Sequence, residues 1–393
     1  MSFPPNVRFG GISFFTFCTH SVFRTYYGVW TINRDINTNP KLKCNANLKI
    51  IMTKNLRKPS YKKLKFFKLL LDFFAHFIIW DWYNFTPNYV LTGKDVFIMN
   101  KSNKTFFIAG GDLRFAALAD VLAENDRVFA AGFDRTAAMS EKVQLVDSIV
   151  SMTERADCVV LPLPASSDGV TVNTPFSGKS ISLESLTHII KEDGIVFGGL
   201  ISPEVRSIFE KRNISVADYA KREEFAVLNA VATAEGAVQV AMEELATTLS
   251  GRKILILGAG RIAKVLIDVL SGFHTDITVA ARKCSDLAWA KVYGCNAVHI
   301  NEMDSVLDSF DVIFNTVPAV ILDENRLKKI GRSCLVIDLA SKPGGVDFDT
   351  AGMLGVRTIW LLSLPGKVAP VTSGSVIADT IGNILSERGE SHV

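Results

Sequence analysis

Histidine is scarce in this 393-residue chain: six residues, none between Phe310 and Leu385. Imidazole is the usual general base near neutral pH, so its absence from that stretch excludes histidine-assisted alcohol or amine oxidation there. His299, after Ala-Val at a strand end, reads as structural. The six cysteines, Cys18, Cys44, Cys158, Cys284, Cys295 and Cys334, form no C-x-x-C pair and no metal-ligand spacing. No metal site is therefore expected, and the cysteine usage fits a reducing, cytoplasmic setting. Long apolar runs are missing too. Phe66–Trp80 is interrupted by Lys68, Asp72 and His76 and is too short for the roughly 18–20 residues that span a bilayer. Arg8 is followed by no clean apolar segment of the kind a signal peptide needs.

Glycine is nearly absent from the first quarter of the chain. Residues 1–98 hold 4 of 27 Gly but 13 of 26 Phe and 3 of 5 Trp. They carry 14 Lys/Arg against 4 Asp/Glu, whereas the remainder carries 29 against 36. This compositional break marks residues 1–98 as an unassigned extension. The basic run Lys54–Lys68, with Tyr61, Phe66 and Phe67 interleaved, has the composition of a nucleic-acid patch, but a poorly ordered extension or an upstream reading-frame artefact explains it better. Met99 is the expected true start, with residues 1–98 upstream of it.

From residue 105 the pattern alternates strand and helix. Strands are expected at Thr105–Ala109, Arg127–Ala131, Cys158–Leu161 and Gly194–Gly198, with a helix at Arg114–Asn125. Lys221–Leu249 reads as a long helix, with a break expected near Thr233–Gly236 because glycine is a poor helix former. Strands recur at Lys253–Leu257, Ile277–Ala280, Val312–Asn315 and Leu335–Leu339, and Ser373–Arg388 reads as a closing helix. The expected architecture is α/β, with two Rossmann-like doubly wound parallel-sheet domains, the second binding a dinucleotide. Its parts are a substrate or partner domain at 99–225, a linking helix at 226–250, the nucleotide domain at 251–372, and a C-terminal helix at 373–393 packing back on the first domain.

The sharpest motif is Lys253-Ile-Leu-Ile-Leu-Gly258-Ala259-Gly260-Arg261-Ile262-Ala263. An apolar strand runs into G-x-G-x-x-A and then into a helical pattern. Gly258 suits a tight turn, Gly260 lets a pyrophosphate approach the backbone, and Ala263 lets helix and strand pack closely. After the second strand of that unit, Ala281-Arg282-Lys283 stands where an NAD-binding carboxylate would be expected. Arg282, helped by Lys283, favours the 2′-phosphate of NADP, with NAD possible; two ordinary surface cations are the other reading. Asn315-Thr316-Val317-Pro318 and Asp338-Leu339-Ala340-Ser341-Lys342-Pro343-Gly344-Gly345 end strands on the edge expected to face a nicotinamide. Asp338 suits a turn-holding role. Lys342 and Lys367, both in rigid Pro/Gly loops, are placed to grip an anionic substrate. Asp168-Gly169 marks a loop at a strand's carboxyl end, where such sheets place ligands.

Several blocks taken in order resemble a known family. They are Gly110-Gly-Asp112 with Arg114, Leu161-Pro-Leu-Pro164, Asn173-Thr-Pro175-Phe, Leu228-Asn229, Thr233-Ala-Glu235-Gly236, Gly258-Ala-Gly260-Arg261, Asn315–Pro318, Asp338–Gly345, and Leu364-Pro-Gly366 with Val368-Ala-Pro370. Through them residues 104–390 resemble the A subunits of bacterial dipicolinate synthase, which makes the pyridine-2,6-dicarboxylate of endospores. The resemblance implies NAD(P)-dependent oxidation of dihydrodipicolinate in a hetero-oligomer with a flavoprotein-like B subunit. The setting would be the mother-cell cytoplasm, with no nucleic-acid or membrane partner. It implies that Gly258–Ala263 hold the cofactor phosphates, and that Asn315–Pro318 and Leu339–Ser341 flank the nicotinamide. The substrate carboxylates fall to Lys342 and Lys367, with Arg114 and Asn229 behind them, and Glu235 and Asp168 are candidate proton acceptors. Alternatives are another two-domain dehydrogenase acting on alanine or hydroxyacids, or a non-catalytic nucleotide-binding subunit. The chain departs from the family at Ser363, where Gly is usual, at Val371-Thr372, where Lys-Thr is usual, and at Ala232, where Pro is usual. Ala263 replaces a common glycine, a change the cofactor fingerprint allows.

Overall fold

The computed structural model describes residues 103–389 apart from 135–138, 150, 151 and 153. The expectations for residues 1–98, including Phe66–Trp80, Lys54–Lys68 and the start at Met99, lie outside the described residues.

The first sheet is built from β1 (Thr105–Ala109), β2 (Arg127–Ala131), β3 (Val143–Leu145), β4 (Ala156–Val160), β5 (Ile190–Gly198) and β6 (Ser215–Asp218). All are parallel, in the order β3-β2-β1-β4-β5-β6. The second sheet is built from β7 (Lys253–Leu257), β8 (Asp276–Ala281), β9 (Asn296–His299), β10 (Val312–Asn315), β11 (Leu335–Asp338) and β12 (Arg357–Trp360). It repeats the same doubly wound order. Ten described α-helices accompany the strands: α1 (Leu113–Leu122), α2 (Leu183–Leu186), α3 (Pro203–Glu210), α4 (Glu223–Glu244), α5 (Arg261–Gly272), α6 (Cys284–Val292), α7 (Glu324–Leu327), α8 (Phe348–Leu354), α9 (Leu364–Val368) and α10 (Pro370–Glu387).

A parallel sheet covered on both faces needs strands that are apolar on both sides. β1 meets this requirement with Thr-Phe-Phe-Ile-Ala, buried along its whole length. Its side chains alternate between two cores: Phe106 and Ile108 enter one, Phe107 and Ala109 the other. β7 divides in the same way, Ile254 and Ile256 against Leu255 and Leu257. The central strands were therefore readable from runs of apolar residues. The edge strands β3, β6, β9 and β12 were not, being three or four residues long and partly exposed.

α4 corrects one expectation. It runs unbroken through Gly236, from Glu223 to Glu244, rather than breaking near Thr233. A Cβ at Gly236 would lie 3.0 Å from Val368 Cγ2 and 3.2 Å from Leu364 Cδ2, so this glycine admits α9 rather than ending the helix. α4 is also the one described helix long and apolar enough to cross a membrane, with half of that window buried inside the protein. Its beginning belongs to the first lobe, where Phe225 meets the buried Tyr219 ring edge-on at 5.5 Å. Its later residues Ala234, Ala237, Val238 and Ala241 belong to the core of the second.

α10 follows the second sheet in sequence yet buries Val376, Ile377, Ile381 and Leu385 in the core of the first. Its approach to α1 is backbone to backbone at Gly374. A Cβ there would lie 2.7 Å from the Arg114 carbonyl oxygen and 2.8 Å from the Leu118 nitrogen. Because neither atom can swing aside, overpacking should outweigh the roughly 1 kcal/mol that alanine gains over glycine in a helix. Gly374→Ala is expected to destabilise the protein by about 1–2 kcal/mol in urea unfolding; a stability equal to or above that of the parent would refute the close approach.

Candidate functional site at the facing loops of the second sheet

β7 ends at Leu257 and the chain turns at Gly258, whose φ is +99°. A Cβ on Gly258 would meet Thr316 Oγ1 at 2.5 Å, so the turn requires glycine for both conformation and space. The Thr316 hydroxyl in turn donates to the Leu257 carbonyl at 2.8 Å. Gly260 differs. It caps α5 with no side-chain hydrogen bond, and no atom lies within 4 Å of where its Cβ would be. The first N–H groups of α5 therefore lack a side-chain cap and open onto free space, the arrangement that receives a phosphate. Ala263 is fully buried one turn on. These residues fit a dinucleotide pyrophosphate.

Other groups surround this turn. Ile262 packs partly buried against the second core, as does Ala259. Arg261 is held by Glu223 of α4, Nε to Oε1 at 2.8 Å and Nη2 to Oε2 at 2.5 Å. No local pattern in the sequence signals this pairing, since the two residues are 38 apart. The ion pair pushes the Arg261 guanidinium up and the Glu223 carboxyl down from their ordinary ranges. Beyond β8, Ala281 is buried, while Arg282 and Lys283 are exposed and make no ion pair among the described residues. The Arg282 carbonyl lies 3.1 Å from His299 Nε2, which gives that histidine a structural contact.

At the carboxyl ends of β10 and β11, Asn315 and Asp338 are register partners, both fully buried. Asn315 Nδ2 donates to Asp338 Oδ1 at 2.7 Å and to the Val317 carbonyl at 3.0 Å. Asp338 also accepts from the Ala340 nitrogen at 2.9 Å and the Gly345 nitrogen at 2.7 Å. A buried carboxylate without a cation needs such donors. Together these bonds hold both loops, Thr316–Pro318 and Leu339–Gly345, in place. The Trp360 indole secures the second by donating to the Ala340 carbonyl at 2.9 Å. Ser341 and Lys342 lie exposed on that loop.

Lys367 lies exposed on α9, next to Gly366. A Cβ on Gly366 would lie 2.8 Å from Asp112 Oδ2 and 3.1 Å from Arg114 Nε, so the loop after β12 rests on the turn after β1. Ser363, at the start of α9, has φ +59°, a left-handed conformation that explains why glycine is expected at this position. Arg114 and Asp168 are otherwise engaged. The Arg114 guanidinium is buried, bound by Asp112 at 2.7 and 2.9 Å, with Nη2 3.3 Å from the Leu163 carbonyl. The fork offered by the sequence to a substrate carboxylate is thus filled by a neighbouring one. Asp168 accepts from the Thr171 hydroxyl at 2.6 Å, from the backbone of Thr171 and Val170 at 2.7 and 2.9 Å, and from the Ser166 hydroxyl at 3.0 Å. These bonds, the Thr171 hydroxyl first, hold its carboxyl far below the usual range. A carboxylate so stabilised is a weak base at neutral pH. On α4, Asn229 is half-buried and lies seven residues before Gly236, on the same helix face. Glu235 is exposed.

Comparison with known proteins agrees with this geometry. Residues 105–220 match the N-terminal domain of the dipicolinate synthase A subunits, and residues 239–360 match the shikimate/quinate 5-dehydrogenase family. The dipicolinate synthase A subunit of Bacillus subtilis (strain 168) is 26% identical over 288 residues, covering 71% of this chain and 95% of the relative. This chain is a relative of the dipicolinate synthase A subunits. The crystal structure of the Bacillus halodurans A subunit superposes with a TM-score of 0.66 at 28% identity, over 73% of this chain and 99% of that one. The crystal structure of the Bacillus subtilis relative gives 0.67 at 24% identity, over 75% and 99%, and adds support for the fold. The second lobe, β7 through β12, thus has the fold of a nicotinamide-dinucleotide dehydrogenase.

The open space at Gly260 makes a clean test possible. Gly260→Asp is expected to fold with unchanged melting temperature, because its Cβ meets nothing, yet to weaken NADPH binding at least tenfold by fluorescence titration. Unchanged affinity would show that no pyrophosphate passes this turn.

Proposed function

We propose that this chain is the NADP-dependent dehydrogenase component of a dipicolinate synthase, oxidising dihydrodipicolinate to pyridine-2,6-dicarboxylate. It would act with a B subunit, in the cytoplasm of a sporulating mother cell. The observation that carries the reading is the uncapped, side-chain-free start of α5 at Gly260, in a chain related throughout its described length to the A subunits.

The oxidation removes one hydride and one proton from the ring. When bound, the dinucleotide supplies the hydride acceptor. The chain's part is to bind, orient and deprotonate. Lys342 and Lys367 follow the neighbouring strands β11 and β12 and form no ion pair among the described residues. Each would take one carboxylate of the flat dicarboxylate, with Asn229 behind them. Asn315 and Asp338 would act at a distance, by holding the loops that flank the nicotinamide. Arg114, bound to Asp112, drops out of carboxylate binding, and Glu235 is left as the proton acceptor, since Asp168 is committed to its own loop. The gain of aromaticity drives loss of the proton, which fits a site with no histidine in its C-terminal loops. Arg282 would select the 2′-phosphate of NADP.

The full chain, its B subunit, NADP and enzymatically generated dihydrodipicolinate should yield dipicolinate, seen by ultraviolet absorbance, in step with NADPH. Cofactor binding without product would sink the dehydrogenase reading and favour a nucleotide-binding scaffold. Lys342→Ala and Lys367→Ala should each raise KM about 10- to 100-fold, as expected for losing a charged hydrogen bond of about 1.5–3 kcal/mol; KM and turnover both unchanged in the two variants would also favour the scaffold. Arg282→Ala should weaken NADP about tenfold and leave NAD affinity as it was. An equal loss for both would remove Arg282 from cofactor selection.

A further inference from the structure

The two sheets share one strand order, so each position on one has a counterpart on the other. β2 corresponds to β8 and β3 to β9. In the second lobe the loop after β8 carries Arg282 and Lys283. In the first lobe the loop after β2 carries an acid, Asp134, and a cavity of about 570 Å³ opens beside it. That volume is within the range of small-ligand sites, about 300–1,000 Å³. The cavity sits at the carboxyl edge of a parallel sheet, where such folds place ligands.

Its chemistry is uneven. One wall is apolar, formed by Leu145 at the end of β3 and by Val146 and Ile149 beyond it. The other carries Asp134 and hydroxyls, including Ser177 and Ser180. Asp134 accepts from the Gly178 nitrogen at 3.5 Å, and Ser177 beside it helps hold its carboxyl below the usual range. A carboxylate has about four acceptor positions, so room remains for a diol. The spacing points the same way. In dinucleotide folds the acid that holds the ribose lies about 20 residues past the turn glycines. Asp134 follows Gly110, the first turn glycine of this lobe, by 24 residues (134 − 110).

Phosphate has no place in the first lobe. Where the second lobe has the bare Gly260, the first has Asp112, which accepts from the Arg114 nitrogen at 3.1 Å and neutralises the Arg114 guanidinium. The turn is also filled from above: a Cβ on Gly110 would lie 2.6 Å from Thr174 Cγ2 and 2.9 Å from the Asn173 oxygen. A dicarboxylate fits no better. Asp134 and Asp147 face one lysine, Lys179, which already lies 3.5 Å from Asp147.

We infer that the first lobe binds a purine nucleoside lacking a 5′-phosphate, its ribose hydroxyls on Asp134 and its base against Leu145 and Ile149. The site is separate from the cofactor turn and does not depend on the proposed reaction.

The probe is adenosine, titrated calorimetrically into the full chain saturated with NADP, so that the second lobe's adenosine subsite is blocked. One equivalent should bind. Asp134→Ala should weaken it at least tenfold, and Ser180→Trp, which fills the cavity from an exposed position, should abolish it. Both variants should bind NADP as the parent does, which shows that they fold. AMP should bind at least tenfold more weakly than adenosine, and dipicolinate should not displace it. No binding at millimolar adenosine, binding indifferent to both substitutions, AMP binding as tightly as adenosine, or displacement by dipicolinate would each overturn the assignment.

Discussion

The described structure depends on close packing within and between its two lobes, at points where only glycine leaves room. Gly374 lets α10 lie on α1, and Gly366 lets the loop after β12 rest on the Asp112–Arg114 pair after β1. Since both loops leave the carboxyl ends of their strands, this contact brings together the edges of the two sheets that carry the candidate site residues. Gly236 adds a third such approach, between α4 and α9. A methyl group at any of the three would push against backbone or a buried side chain, and interiors packed like organic crystals do not absorb that cheaply.

Electrostatics divides the labour among residues that look alike in sequence. Asp112, Asp168 and Asp338 each follow a strand, yet each spends its carboxylate within the protein: on Arg114, on an Asx-type loop, and on the junction of two loops. Lys342 and Lys367 meet no such partner among the described residues. Under the proposed function, cations left free beside committed anions would give this end of the second sheet its capacity for an acidic ligand. Arg261 occupies a middle position. It is bound to Glu223 across an exposed pair, and such pairs are worth only about 0–1 kcal/mol.

The glycine turn after β7 was legible because its geometry is local. Gly258, Gly260 and Ala263 act through the dihedral, the bare backbone and the helix contact of a single strand–turn–helix, all within eleven residues of sequence. The central strands were legible for a related reason, since burial on both faces leaves a run of apolar residues that no loop would carry. The role of Gly236 was not, because a glycine that ends a helix and one that admits a neighbour are identical until the neighbour, Val368, is in view. Arg114 reads as a free cation for the same reason: in sequence, nothing distinguishes a guanidinium that faces a substrate from one already held by Asp112.

By itself, then, the sequence determined the α/β class, the parallel order of strand and helix, and the dinucleotide turn, because each is set by interactions between near neighbours in the chain. The tertiary structure alone decided which charges stay free, which glycines admit a neighbouring element, and that a cavity lies beside Asp134. The glycine contacts and the cavity rest on residues tens to hundreds of positions apart, whose meeting is an outcome of packing; the Asp112–Arg114 and Asp168–Thr171 pairings span only two and three residues but form only once each loop has folded.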